Sequence, residues 1–349
     1  ASLATKQFVI LTGLSGSGKT QLAIRFGEWV GLDKKLVVPV RPDWTGAEAI
    51  FGYENALQPS LEGRAAWHAP EALQFMLKAA ADSANAYILI FDEMNLAHVE
   101  RYFADVLSGM ESGEPCLPNL QFENGVWRLK PNSQCRIRFP QNLFVIGTVN
   151  VDETTYMFSP KVLDRANTFE FRTQTNELDS RLRKPSPCKS GEPALVKRFL
   201  SISLDNHWHL QNPHASQNDL DNHLKTLHRL LSEGGFEFGH RVFYEATRFC
   251  SILRACGDSD HLHALDFQVF QKVLPRLHGS RRRLEPTLCI LGQFCMDLTY
   301  EEGLITQGKA GTFDPLAPPI TLPKLPRSFD KIRRMTRNLR ANQFASFTE

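Results

Sequence analysis

The sequence predicts an α/β domain built on a parallel sheet, followed by a mostly helical second domain. Three observations predict it. Short apolar runs alternate with amphipathic helical patterns through the first half, which is how strands joined by crossover helices read. A glycine-rich stretch joins the first apolar run to the first helical pattern. The second half carries helical periodicity with little strand character.

Taken in chain order, KQFVILTG, KLVVPV, AYILIFDE and NLFVIGTVN are the strands, and TQLAIRFGEWVG, PEALQFMLKAAAD and VERYFADVLSGMES the helices between them. Residues 1–172 are therefore assigned to the α/β domain. Within it, residues 116–139 (CLPNLQFENGVWRLKPNSQCRIRF) alternate apolar and polar positions around the turn signal ENG, which predicts an inserted β-hairpin. Residues 173–192 are polar and rich in Pro and Ser, as a linker is. From 193 to 311 the patterns PALVKRFLSISLDNHW, DLDNHLKTLHRLLSEG, HRVFYEATRFCSILRACG, LDFQVFQKVLPRLHG and RLEPTLCILGQFCMDL predict helices. Residues 312–349 begin with the proline-punctuated TFDPLAPPITLPKLPRS, predicted to be extended, and end in a basic helix. No internal repeat is evident.

Composition narrows the function class. At 349 residues and 42% hydrophobic, the chain can bury a substantial core and fill about two domains. No apolar run approaches the roughly 20 residues that span a bilayer, and ASLATKQFVILTG has neither the charged start nor the cleavage site of a secretion signal. Cys116, Cys135, Cys188, Cys250, Cys256, Cys289 and Cys295 are scattered, odd in number and without CxxC spacing. This excludes a cysteine metal cluster and fits reduced thiols in a cytoplasmic protein. The formal charge of +2 says nothing about nucleic acid, but RSFDKIRRMTRNLR (327–340) and HGSRRR (278–283) concentrate positive charge.

The stretch Gly13-Leu14-Ser15-Gly16-Ser17-Gly18-Lys19-Thr20 fits GxxxxGK[ST], and it follows a strand and precedes a helix that continues with Gln21. In that context the glycines let backbone N–H groups turn toward phosphate oxygens, and the helix N-terminus adds a favourable dipole. Lys19 can reach the β- and γ-phosphates and Thr20 can ligate Mg²⁺. A second acid at the end of another buried strand is needed to complete a metal site, and YILIFDE offers Asp92. Glu93 is then placed to polarise a water for attack on the γ-phosphate. Read by itself, the Asp-Glu pair could equally cap the helix that follows.

Asn150, at the end of NLFVIGTVN, is a neutral amide that both donates and accepts, suited to holding an attacking water or the γ-phosphate. Arg165 lies further on in VLDRA, placed to enter a neighbouring subunit's site and neutralise charge there. A turn-capping asparagine and a surface Asp–Arg pair are the plainer alternatives.

With GLSGSGKT, ILIFDE, GTVN and LDRA in this order, the chain resembles the AAA+ NTPases. DEMNLAHVERYFADVLSGMES, NLFVIGTVNVDETTYMFSPKVLDRA, FGHRVFYEATRF and LPRLHGSRRRLEPTL are similar to the McrB-type branch, with the MoxR-like and dynein-related ATPases beside it. The resemblance implies a P-loop NTPase: an AAA+ large domain followed by a helical lid. It matches Asn150 to sensor 1, Arg165 to the arginine finger and Arg241 to sensor 2, for which Arg281, Arg282 and Arg283 compete. It places a helix-2 insertion within LEGRAAWHAPEALQFML (61–77). ATP or GTP with Mg²⁺, a homo-oligomeric ring expected to be a hexamer, a McrC-like nuclease partner and DNA follow from it. A MoxR-like chaperone acting on protein, or a slow nucleotide-dependent scaffold, would use the same core. VDETT after Asn150 departs from the NTAD of GTP-specific members, which shifts the expectation slightly toward ATP. No DNA-reading domain or nuclease motif is evident, so the chain is expected to be the motor alone, or a piece whose recognition module precedes Ala1.

Other signals are weaker. His207, His209 and His214 lack a Cys, Asp or Glu at zinc-like spacing. Trp44, Trp67 and Trp127 are candidates for channel or interface positions, although core packing is a tryptophan's commoner fate.

Overall fold

The computed structural model describes residues 1–58, 60–61, 64–130, 136–151, 156, 158–173, 186–305, 307–308 and 312–348. They fall into two compact units, one of Gln7–Ala166 with Glu170–Leu204, the other of Ala1–Lys6, Asn167–Phe169 and Asp205–Glu349.

The first unit is α/β. Its main sheet runs, from edge to edge, Asn167–Phe171, Phe8–Gly13, Leu143–Asn150, Tyr87–Asp92 and Lys35–Pro39. The pairings among the last four strands are parallel, with Gly13 opposite Asn150, Gly147 opposite Phe91 and Pro39 opposite Asp92. That register gathers the carboxyl ends of three strands at one edge of the sheet, where open α/β sheets bind ligands. The strands Phe8–Gly13 and Leu143–Asn150 are buried along their whole length, which explains why they read as unbroken apolar runs rather than alternating ones. Lys19–Val30 and Glu71–Ala81 form the expected helices. VERYFADVLSGMES is instead two short helices, Val99–Tyr102 and Ala104–Ser112; the Phe103 ring between them packs on Phe8 and Phe91.

The hairpin forms at Leu120–Glu123 and Val126–Leu129 about Asn124 and Gly125, both at positive φ (49° and 81°), as a two-residue primed turn requires. It does not stand alone. Val126–Leu129 also pairs with Ala66–His68 from the 61–77 stretch, and that strand pairs with Tyr53–Glu54, giving one four-stranded antiparallel sheet. Trp67 lies opposite Trp127 and donates its indole N–H to the Phe51 carbonyl at 2.8 Å, while Trp44 packs edge-on to Phe91 and Tyr102.

The second unit is helical. Leu220, Leu224, Leu227 and Leu231 line the inner face of Gln217–Glu233 and pack with His240–Ala255, Arg281–Asp297 and Pro326–Asn342 around one core.

The division differs from the boundaries read at 172, 193 and 312. Helix Pro193–Leu204 belongs to the α/β unit, because Phe199 packs on Phe26 and Phe144, and the Gly191 N–H donates to the Trp29 carbonyl just before it. The basic helix is part of the helical core through Phe329, Ile332, Met335 and Leu339. The short Ser2–Thr5 helix also belongs to that unit: Lys6 and Lys272 each approach a Glu245 carboxylate oxygen at 2.6 Å. Residues 174–185 of the expected linker and 131–135 of the expected hairpin lie outside the described residues.

Candidate functional site

The glycine-rich loop closes the gap between Phe8–Gly13 and Lys19–Val30. At Gly13 a Cβ would stand 2.3 Å from the Phe171 carbonyl oxygen, so the strand can leave the sheet there only as glycine. Gly18, at φ +88°, occupies the left-handed region that favours glycine and opens the helix. A Cβ on Gly16 or Gly18 would meet nothing within 4 Å, so the loop faces open space along its inner edge. Lys19 is buried, its ammonium donating to the Gly13 and Leu14 carbonyls at 2.8 and 2.6 Å and to Ser17 Oγ at 3.3 Å.

At the second residue of this helix the Thr20 hydroxyl donates to Asp92 Oδ1 at 2.7 Å. The same carboxylate oxygen accepts from Thr148 Oγ1 at 2.7 Å, and the Thr148 hydroxyl accepts from the Glu93 N–H at 2.9 Å. Glu93 takes φ 54°, ψ 49°, a left-handed conformation for a non-glycine residue, and its Oε1 accepts from the Asn150 amide at 3.1 Å. Asn95 fixes Asn150 from both sides, donating to its carbonyl at 2.8 Å and accepting from its N–H at 3.3 Å. Ser15, Gly16, Gly18, Lys19, Thr20, Gln21, Glu93 and Asn150 line one pocket of about 210 Å³.

Phosphate and a hard divalent cation both suit these residues. The loop offers a concave run of backbone with a lysine at its base, and Thr20 with Asp92 brings two oxygen donors together, the ligand type Mg²⁺ takes. Leu14 is exposed at the mouth of the loop and Ser17 lies beside Lys19.

Arg165 and Arg241 each have side-chain partners within their own units. Arg165 follows the helix Pro160–Leu163, donates its Nε–H to Glu111 and its Nη1–H to the Lys161 carbonyl at 2.9 Å, and is about a third exposed. Arg241 belongs to the helical unit, 4.0 Å from Glu245 Oε1. Of its competitors, Arg281 pairs with Glu285, Arg283 lies over the Phe236 ring, and Arg282 is exposed. Asp152, Glu153, Thr154 and Thr155 of VDETT lie outside the described residues.

Sequence reading missed Thr148 and Asn95. GTVN placed Thr148 two residues before a singled-out asparagine, and the parallel register sets it beside Asp92. His209 and His214 are buried, with His214 held by the Ser259 carbonyl and the Ser216 N–H; no group of three metal-ligating side chains occurs among the described residues.

The fold and this arrangement define a P-loop nucleoside triphosphatase. Residues 8–168 match the AAA domain of the dynein-related subfamily. Residues 196–344 match a domain of unknown function, DUF8727. The type IV methyl-directed restriction enzyme EcoKMcrB subunit of Escherichia coli (strain K12) is 24% identical over 247 residues, 69% of this chain and 48% of the relative, so the match spans about half of that protein. The crystal structure of an ATPase candidate from Cytophaga hutchinsonii ATCC 33406 is 14% identical and aligns over 72% of this chain and 71% of that chain with a TM-score of 0.42.

Proposed function

We propose that this chain is the NTP-hydrolysing subunit of a ring-forming motor that works on DNA in a McrB-like restriction or phage-defence system, with a nuclease as partner. The observation that carries the hydrolytic part is the Glu93–Asn150 contact at 3.1 Å, beside the Thr20–Asp92 pair and on the wall of the glycine-loop pocket. Glu93 accepts the proton of the attacking water, and Asn150 orients that water and the γ-phosphate. Lys19 turns from the loop carbonyls to phosphate oxygens. Thr20 and Asp92 would hold Mg²⁺, which when bound neutralises charge on the β- and γ-phosphates. Arg165 serves the neighbouring subunit's pocket, and Arg241 is the sensor 2 residue.

The DNA setting rests on the 24% identity to a methyl-directed restriction subunit. ATP is favoured over GTP only because VDETT departs from NTAD. A hydrolysis assay comparing the two nucleotides, with and without duplex DNA, tests the reading. Turnover that DNA raises supports it. Turnover indifferent to DNA and raised by a protein substrate would replace it with a remodelling chaperone, and nucleotide binding without turnover with a scaffold.

A further inference from the structure

Pro326–Asn342 buries Phe329, Ile332, Met335, Thr336 and Leu339, and turns the opposite face outward. That outer surface carries five arginines, of which Arg327 and Arg337 are exposed and Arg333, Arg334 and Arg340 are half-buried along its flanks. Arg333, Arg337 and Arg340 follow i, i+4, i+7 spacing, so they lie in one row, with Arg334 and Arg327 beside it. The helix contains one acid, Asp330, which pairs with Arg334 at 3.1 Å. Its lysine, Lys331, is on the buried side over the Phe347 ring.

A second basic cluster is folded against the first. The ladder of Gly279–Ser280 with Phe344–Ala345, and the Arg281 N–H donating to the Gln343 carbonyl at 3.0 Å, bring residues 281–283 to the end of the basic helix. Glu285 accepts from Arg281 and from Arg340, each at 2.7 Å, and clamps the two segments together. Arg340 also reaches Asp314 at 3.1 Å. Eight arginines from two stretches of sequence thus meet four carboxylates, Glu285, Asp314, Asp330 and Asp266, the last accepting from the Arg327 N–H at 2.9 Å. In a chain whose formal charge is only +2, this excess is local.

A solvated face has no need of arginine. Lysine would keep it soluble, and crowding like charges on one surface is unfavourable. Planar guanidinium groups match phosphate two bonds at a time, and a 17-residue helix, about 25 Å long, spans many charges of a duplex that carries one per roughly 1.7 Å. We infer that the arginine face of Pro326–Asn342, extended by Arg281–Arg283, docks the phosphate backbone of duplex nucleic acid without reading its sequence. This deepens the proposed function by giving its DNA a surface on this chain, yet does not depend on nucleotide turnover.

Arg337 and Arg327 are exposed, but Arg327 also lies over the Phe267 ring at 4.1 Å and donates its N–H to Asp266, so the fold of each variant is checked by circular dichroism beside its binding. The test measures binding of the full chain to a short labelled duplex by fluorescence anisotropy across a salt series. Arg327→Glu with Arg337→Glu should weaken binding at least tenfold and lower the slope of log K against log salt by roughly 2, near 0.9 per lost phosphate contact. Lys197→Glu with Arg198→Glu, exposed on the α/β unit and equal in charge change, should leave both within twofold. Arg327→Gln with Arg337→Gln, milder to the fold, should give an intermediate loss. Unchanged duplex binding in the Glu pair, an equal loss in the control pair, or competition by polyglutamate or anionic vesicles as strong per charge as by duplex would each overturn the inference. Hydrolysis without DNA is read in parallel. A chain that binds duplex through this face but turns over no nucleotide sinks the proposed function and leaves the inference standing.

Discussion

Glu93 is held where a non-glycine residue is strained, at φ 54°, ψ 49°, which costs on the order of 1–3 kcal/mol. The surrounding bonds fix it there: Thr148 takes its N–H, and Asn150, itself clamped by Asn95, meets its carboxylate. A position this determined suits a base that must meet its water at one angle. Glu93→Gln should therefore keep nucleotide affinity and lose about 10²- to 10³-fold in turnover. Lys19→Ala should lose affinity itself. A nucleotide titration beside a hydrolysis assay separates the two, and equal affinity for Lys19→Ala and the parent would remove the loop from the phosphate site. Thr148→Val takes away the hydroxyl that joins Asp92 to the Glu93 backbone. Turnover should fall roughly tenfold, with a higher Mg²⁺ requirement, and Thr148→Ser should restore both, since removing one supporting hydrogen bond is worth about 1–1.5 kcal/mol. Lys19 and Asp92 were legible in the sequence because their chemistry comes with fixed spacing to a strand end. Thr148 and Asn95 were not, because their partners are set by the register of non-adjacent strands.

At the scale of elements, the three inner strands were legible because strands buried on both faces write themselves as apolar runs. The allegiance of the helices was not. Pro193–Leu204 has the same amphipathic pattern as the helices after it, and only the tertiary contact of Phe199 with Phe26 and Phe144 assigns it to the α/β unit. The insert and the hairpin likewise gave no sign in sequence that they share a sheet. Nor did Lys6, Glu245 and Lys272 announce their cluster, which ties Ser2–Thr5 into the helical unit. Glu245 and Lys272 are buried, and burial pulls the Lys272 ammonium down while the Glu245 charge opposes that fall. Glu245→Gln strands the ammonium and should cost about 3–5 kcal/mol of stability, whereas Glu245→Gln with Lys272→Met should cost less than the sum of the single changes. In Glu245→Gln the folded-state Lys272 titrates below its parent value of about 7, so below that pH the folded variant holds fewer protons than the folded parent, and the deficit should shrink as pH rises from about 5 toward about 7 and stay level above it. A urea-denaturation series over that range measures it. A deficit that widens with pH would show that Lys272 keeps its charge by another route.

At the scale of the whole molecule, the placement of Arg165 matters most. It lies outside the residues lining the pocket, about a third exposed and tied to Glu111. A guanidinium so placed either anchors its own short helix or, in the proposed ring, serves the next subunit. The two roles predict different mixtures. Loss of an arginine finger costs on the order of 10³-fold in rate, about 4 kcal/mol at the transition state, so Arg165→Ala alone should bind nucleotide normally and barely turn it over. Lys19→Ala alone should do neither. In mixed rings, an Arg165→Ala subunit supplies an intact pocket and a Lys19→Ala neighbour an intact Arg165, so activity should return at those interfaces. Asn150→Ala mixed with Lys19→Ala provides the contrast: both changes damage the pocket of their own subunit, no interface then holds an intact pocket, and activity should stay lost. Co-assembly is verified first by light scattering of the mixtures. An Arg165→Ala and Lys19→Ala mixture that co-assembles yet stays inactive would confine Arg165 to its own subunit, or require every site of the ring to fire. Recovery in both mixtures would mean that Asn150 also acts across the interface.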